Sequence, residues 1–241
     1  MSWYLAVDTA TDVGSVAVGR PGALGAEVVF GSRRHAGALV PAVAEALRLA
    51  GVPLQDITGF AIADGPGSFT GLRIGFATVQ GLVKDRSDRD VVTAPSLMAT
   101  AWHGARYFDG PVASLYDALR GEVFAAVYRF QRGAVEVILA PCLTTLSRLK
   151  DLGLHPRIAV GDGAATYAEA VRAWTGRDPV APPAGAPRAA SLIELLAVAG
   201  AVRKVDDVQD WEPDYGRPAE AQARWERKHG RPLPGTTGGN D

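Results

Sequence analysis

The segment Asp64-Gly65-Pro66-Gly67-Ser68-Phe69-Thr70-Gly71 places three glycines and a proline between a short apolar run and a helical period. A turn built this way can gather backbone N–H groups at a helix N-terminus, where they can meet a phosphate. It is not a Walker A loop, because no Gly-Lys-Ser/Thr follows, and its glycines lack the GxGxxG spacing of a dinucleotide fold. The same residues would equally serve a tight turn that lets the helix pack close to its sheet. A second cluster, Asp8-Thr9-Ala10-Thr11, sets a carboxylate and two hydroxyls between two apolar runs. Asp8, Thr9 and Thr11 could form a nucleotide loop, holding phosphates and placing a divalent cation through Asp8. An Asx or Ser/Thr turn that merely closes a hairpin reads the same way.

Other chemistry finds little support. His35, His103, His155 and His229 form no pair at metal-ligand spacing. Cys142 stands alone, so neither an internal disulfide nor a cysteine zinc site can be built. Ser68 lacks the Gly-x-Ser-x-Gly setting of a nucleophile. Arg33-Arg34-His35 reads as solvated surface or a phosphate contact. The expectation is therefore no catalytic residue and no metal site. With 25 Lys plus Arg against 26 Asp plus Glu, the 241-residue chain carries a net charge of −1, which argues against gripping nucleic acid by bulk charge. A hydrophobic fraction of 47% and a charged fraction of 21% are those of a globular chain. The N-terminus lacks a signal-peptide pattern and no apolar run is long enough to span a membrane, so a cytoplasmic location is expected.

The elements that must position these clusters follow from periodicity. Leu5–Val7, Ser15–Val18 and Val28–Phe30 read as strands, the first two a hairpin around Asp8–Gly14. Leu39, Val40, Val43, Leu47 and Ala50 make one stripe of a helix over 37–50, stopped by Gly51 and Pro53. Phe60–Ala63 is a buried strand, 71–84 a helix, 91–93 a strand, and Ser96 is expected to cap a helix through Ala105. Gly71, Gly75 and Thr78 share one side of the 71–84 helix, with Leu72, Phe76, Val79 and Val83 adjoining. Glycine costs a helix about 0.5–1 kcal/mol against alanine. Two in one stripe suggest a close helix crossing, either with 37–50 or with a partner chain.

A second unit begins near Pro111 and repeats the opening order: a strand reaching Asp117, a turn, and a strand over 122–130. Arg157–Val160 leads to Gly161-Asp162-Gly163 and a helix over 165–174. A last helix over 191–202 carries Ser191 and Glu194 at capping-box spacing. The alternation is that of an α/β fold. The division is 1–108 for a first lobe, 109–217 for a second whose last helix can return to the first, and 218–241 for a largely disordered tail.

Taken together, the segments resemble a known family. Leu5-Ala6-Val7-Asp8-Thr9-Ala10-Thr11, Arg34-His35-Ala36 with Leu39-Val40-Pro41, and Gly65-Pro66-Gly67-Ser68-Phe69-Thr70-Gly71-Leu72-Arg73-Ile74-Gly75 follow its order. So do Pro95-Ser96-Leu97, Asp117–Phe124, Gly161–Ala164 and Pro213–Arg217. The resemblance, over about residues 4–217, is to TsaB (YeaZ), the dimerisation subunit of the bacterial tRNA threonylcarbamoyladenosine (t6A) machinery. It implies an actin-like, sugar-kinase and Hsp70-type (ASKHA) fold with two related lobes. It also implies a non-catalytic partner and activator of the transferase TsaD, which modifies N6 of adenosine 37 in tRNAs reading ANN codons. The implied partners are a TsaD-like catalytic subunit, a TsaE-like ATPase and tRNA through the complex, with a homodimer when the chain is isolated and no membrane. No cofactor is implied beyond an adenine nucleotide held weakly or at the interface. In such proteins the helices matching 37–50 and 71–84 form the partner interface, which here would use Leu39, Val43, Leu47, Gly71, Leu72, Gly75, Thr78 and Val79. Ala10 stands where Ser is common, which weakens the nucleotide loop. The alternatives are an ATP-dependent small-molecule kinase of the same fold or a peptidase; for the kinase, Asp117 and Asp162 are weak candidates.

Overall fold

The computed structural model describes residues 2–31, 35–84, 86, 88–106 and 108–217. The first sheet opens with an antiparallel meander, β1 (Trp3–Asp8), β2 (Gly14–Arg20) and β3 (Ala23–Phe30). Helix α1 (His35–Ala50) leads to β4 (Ile57–Ala63), parallel to β1; α2 (Phe69–Val83) leads to β5 (Asp90–Ala94), parallel to β4. After α3 (Ser96–Ala105) the order recurs with β6 (Val112–Asp117), β7 (Val123–Gln131), β8 (Ala134–Thr144) and α4 (Leu146–Asp151). β9 (Ile158–Val160) then lies parallel to β6, as β4 does to β1. The second sheet thus repeats the opening order of the first, giving two related lobes. The chain continues through α5 (Asp162–Thr166), α6 (Ala168–Thr175), α7 (Ala189–Leu195) and the short β10 (Arg203–Lys204).

Alternation along β1 divides the first sheet into two unlike faces. Leu5, Val7, Val16, Val18, Phe60 and Ile62 pack under α1 and α2 against Leu39, Val43, Leu47, Phe76 and Val79. Burying such a side chain stabilises by about 1.5–3 kcal/mol. The opposite face is lined by Ala6, Ala17, Ala61, Ala63 and Ala94, and it shares a core with α3, α7, Tyr116, Phe124 and Tyr128. These alanines leave room for α7 between the lobes. A third core joins the outer face of the second sheet to α4, α5 and α6, around Leu115, Val127, Leu149 and Val171.

Several expectations need correction. The last helix runs 189–195, not 191–202, and Ser191 lies inside it. Glu194 accepts from Trp102 Nε1 at 2.7 Å and pairs with Arg106, so the two residues form no capping box. Helix α7 packs on β1 to β4, with Gly22 N–H donating to Ile193 O at 3.0 Å and Ala189 N–H to Ser15 Oγ at 2.8 Å. Beyond it β10 pairs with β5, so the chain from about 189 lies on the first sheet. The helix expected over 165–174 breaks at Tyr167 into α5 and α6. Ser96 is the first residue of α3 rather than its cap; its Oγ accepts from Gly65 N–H at 2.9 Å and pins the glycine loop. Strand β8 and helix α4 are elements beyond those expected from the sequence. The tail placed at 218–241 lies outside the described residues.

Candidate functional site

The carboxylate cluster at the end of β1 is buried. Asp8 is 0% exposed; its Oδ1 accepts from Ala10 N–H at 3.0 Å and its Oδ2 has no partner among the described residues. Burial pushes the Asp8 carboxyl up to about 7, against the opposing pull of the Ala10 N–H. Thr9 is also buried and its hydroxyl lacks a partner. Thr11 Oγ1 donates to Val13 O at 3.2 Å and accepts from Val13 N–H at 3.3 Å, a local turn. His35, at the start of α1, places Nε2 2.7 Å from Thr11 O.

The glycine loop closes over this hairpin. Ser68 N–H donates to Ala10 O at 2.6 Å, and Ser68 Oγ caps α2 by accepting from Gly71 N–H at 3.2 Å. A Cβ on Gly67 would run into the Ala10 backbone, one on Gly71 into the Thr9 carbonyl oxygen, and one on Gly75 into the Thr9 hydroxyl. The glycine stripe is thus a close-packed seam between α2 and the hairpin, with His35 of α1 beside Gly71. Loop and hairpin, the two clusters that could have held a phosphate, fill each other's space.

The other expected interface residues are also internal. Leu39, Val43, Leu47, Leu72 and Val79 are buried within the first lobe, and Thr78 is half-buried with its hydroxyl donating to Ile74 O at 2.8 Å. Their burial holds α1 and α2 on the sheet. The helices instead turn outward Gly37, Val40, Pro41 and Ala44 from α1 and Thr70, Arg73, Ala77 and Gly81 from α2. Val40 is 61% exposed.

The second lobe repeats the design in a looser form. Gly161 and Gly163 bring α5 against the end of β6, as Gly71 brings α2 against the end of β1. Asp162 Oδ1 accepts from Gly163 N–H at 2.8 Å and Asp117 N–H at 3.3 Å, while Tyr167 Oη donates to Asp117 Oδ1 at 3.3 Å. Burial raises the Asp162 carboxyl, and the two N–H groups oppose that. The turn after Asp117 is open: Leu119 is 66% exposed, and Leu119, Arg120 and Gly121 all have φ between 56° and 83°.

The C-terminal segment joins the lobes, a role that sequence reading missed. Arg203 Nη2 lies 2.9 Å from the buried Asp64 Oδ2, and Asp214 N–H donates to Asp64 O at 2.8 Å. Trp211 stacks on Phe76 at 3.8 Å and Tyr215 on Phe69 at 4.5 Å. Gly216 wedges between Pro66 of the first lobe and Phe124 of the second, and Arg217 Nη2 donates to Ala118 O at 2.7 Å. A concavity at the end of α3, lined by Trp102, Arg106, Phe108, Asp109 and Phe130, contains none of the anticipated site residues. Among the described residues no cluster of His, Cys, Asp and Glu could hold a metal, and no helix is long and apolar enough to cross a membrane.

Comparison with known proteins matches this geometry to one family. Residues 29–180 match the family described as TsaD, tRNA N6-adenosine threonylcarbamoyltransferase. The chain is 30% identical over 231 residues to the tRNA threonylcarbamoyladenosine biosynthesis protein TsaB of Bacillus subtilis, covering 92% of this chain and 96% of that one. It is 28% identical over 240 residues to TsaB of Haemophilus influenzae, covering 94% and 97%. The solved structure of YeaZ from Pseudomonas aeruginosa superposes with a TM-score of 0.72 at 28% identity, over 89% of this chain and 100% of that one. Relatives that span both lobes at this identity leave one assignment: the chain belongs to the TsaB (YeaZ) family of tRNA threonylcarbamoyladenosine biosynthesis proteins.

Proposed function

We propose that this chain is a non-catalytic partner and activator of a TsaD-type transferase, docking through the outward face of α1 and α2. One contrast carries the reading. The residues that would meet a substrate, Asp8 and Thr9, are 0% and 1% exposed, whereas the two helices beside them present a continuous face of small and apolar residues. Gly37, Val40, Pro41, Ala44, Thr70 and Ala77 lose little side-chain entropy on being covered, and short side chains let a partner helix approach closely. The TsaD-type subunit performs the transfer to tRNA, and this chain holds it in a productive assembly with a TsaE-type ATPase. In the absence of that partner the same face pairs weakly with a second copy.

Reconstitution tests this directly. The TsaD-type subunit of the same organism, tRNA, threonylcarbamoyl adenylate and the TsaE-type ATPase are combined with and without this chain. Modified tRNA is expected only when both subunits are present, and no product or sustained ATP turnover from this chain alone. Product formation by this chain without the TsaD-type subunit would overturn the reading.

A further inference from the structure

Helix α2 has a third side, neither against the hairpin nor turned outward. Phe69, Phe76 and Gln80 recur at i, i+7 and i+11 and form one row along it. This row holds the chain beyond β10. Tyr215 stacks on Phe69 and Trp211 on Phe76. Gln80 Nε2 donates to Val208 O at 2.8 Å, with Trp211 O at 3.4 Å and Gln209 O at 3.5 Å. The helix is thereby braced from its first residue to its last turn.

The segment that does this is itself lightly held. The sheet edge ends where Val205 N–H donates to Val91 O at 2.9 Å. From 206 to 217 there is no helix or strand, and no residue is buried. Among the described residues its one backbone bond to the rest of the chain is Asp214 N–H to Asp64 O at 2.8 Å. Trp211, its largest side chain, buries Nε1 without an acceptor among the described residues. Water would satisfy that N–H on release. A segment with few buried contacts and little backbone bonding opens well below the free energy of global unfolding. Resting on the docking reading above, we infer that residues 206–217 are a detachable brace for α2. Seated, they fix the helix for the TsaD-type partner; released, they leave both cores folded and α2 loose. A partner covering the adjoining row, Thr70 and Ala77, binds more weakly when the helix must be ordered at the moment of docking. Seating of the brace therefore tunes docking without a brace residue having to touch the partner.

The test pairs amide hydrogen exchange of the full chain with calorimetric titration against the TsaD-type subunit of the same organism. In the parent, residues 206–217 should exchange at least about tenfold faster than β1 and β4. Exchange as slow as those strands would make the segment part of the core and overturn the brace. Trp211→Ala and the milder Gln80→Ala should speed exchange in α2 about tenfold and leave β1 and β4 unaltered. Both should weaken partner binding about tenfold. Unaltered α2 exchange in both variants would overturn the brace; with weakened binding, it would make the segment a contact surface instead. Ala77→Trp obstructs the outward face and is expected to abolish binding. If it does so while both brace variants bind like the parent, the coupling to docking is wrong. If Ala77→Trp also binds like the parent, the docking reading falls, and the coupling with it.

Discussion

The ends of β1 and β6 show one motif in two states. Each is the tip of the first strand of a lobe, carries an aspartate, and is approached by a helix that begins with glycines after a parallel strand. In the first lobe that helix runs fifteen residues, its glycines abut the hairpin, and Asp8 is sealed. In the second lobe the helix stops after five residues at Tyr167, and Asp117 remains half-buried beside a turn that points Leu119 into water. Glycine at the approach brings the backbones together in both. The length of the helix behind it decides whether the aspartate is shut in.

The largest expected difference between the two tips is electrostatic. The unfolded chain releases the Asp8 proton near pH 4 and the folded chain near 7. Between those values the folded state binds more protons, so stability falls as pH rises from about 4 to 7 and then levels. The span corresponds to roughly 4 kcal/mol at about 1.36 kcal/mol per unit. Asp8→Asn should remove that fall and stabilise the protein above pH 7. Urea unfolding from pH 4 to 8 measures it; an Asp8→Asn profile parallel to the parent's would show that the carboxylate is not shut in.

Next comes the packing of the tips. Gly71→Ala forces a Cβ onto the Thr9 carbonyl oxygen, a backbone atom that cannot swing away. Overpacking of this kind costs about 1–3 kcal/mol. Gly121→Ala meets no atom within 4 Å and suffers only the strain of its φ of 83°, about 1 kcal/mol. Equal losses in thermal melts would erase the distinction between a closed and an open tip.

The smallest effect is a gain. Leu119 is an exposed leucine with φ 66°, a conformation costing a non-glycine residue about 1–2 kcal/mol. Leu119→Gly relieves that cost, less the extra freedom of glycine in the unfolded chain, so stability should rise by several tenths of a kcal/mol. A loss larger than that would mean that Leu119 makes a contact essential to the turn.

How much was legible follows from which interactions are local. The stripe Leu39, Val43, Leu47 gave α1 to within two residues, because a 3.6-residue period repeats over four turns. The same stripe is internal, because in a half-buried helix the apolar side faces its own sheet. The glycine seam was visible as an anomaly, but its contact, Thr9, lies more than sixty positions away in sequence. Ser191 and Glu194 have capping spacing, yet Ser15 and Trp102, at 2.8 Å from Ala189 N and 2.7 Å from Glu194, settle their surroundings. Strand β8 carries Pro141, which demotes a run in sequence reading and is tolerated here because β8 is an edge strand. The segment 203–217 has no period at all; its partners are spread over α2, β5, Asp64 and Ala118 of the second lobe, so nothing within it announces where it lies.

The return of α7 to the first sheet has a bearing on how the protein is made. The bond from Ala189 to Ser15 spans 174 residues, and β10 completes the edge beside β5 only after that. A ribosome adding about 5–20 residues per second leaves the alanine face of the first sheet uncovered for on the order of ten seconds. The amino-terminal lobe therefore cannot finish folding while it is the only part synthesised. Its open face during that interval is lined by alanine, which offers little apolar area per residue for a neighbouring nascent chain to seize. The same side chains that make room for α7 in the finished protein thus keep the unfinished one from being sticky.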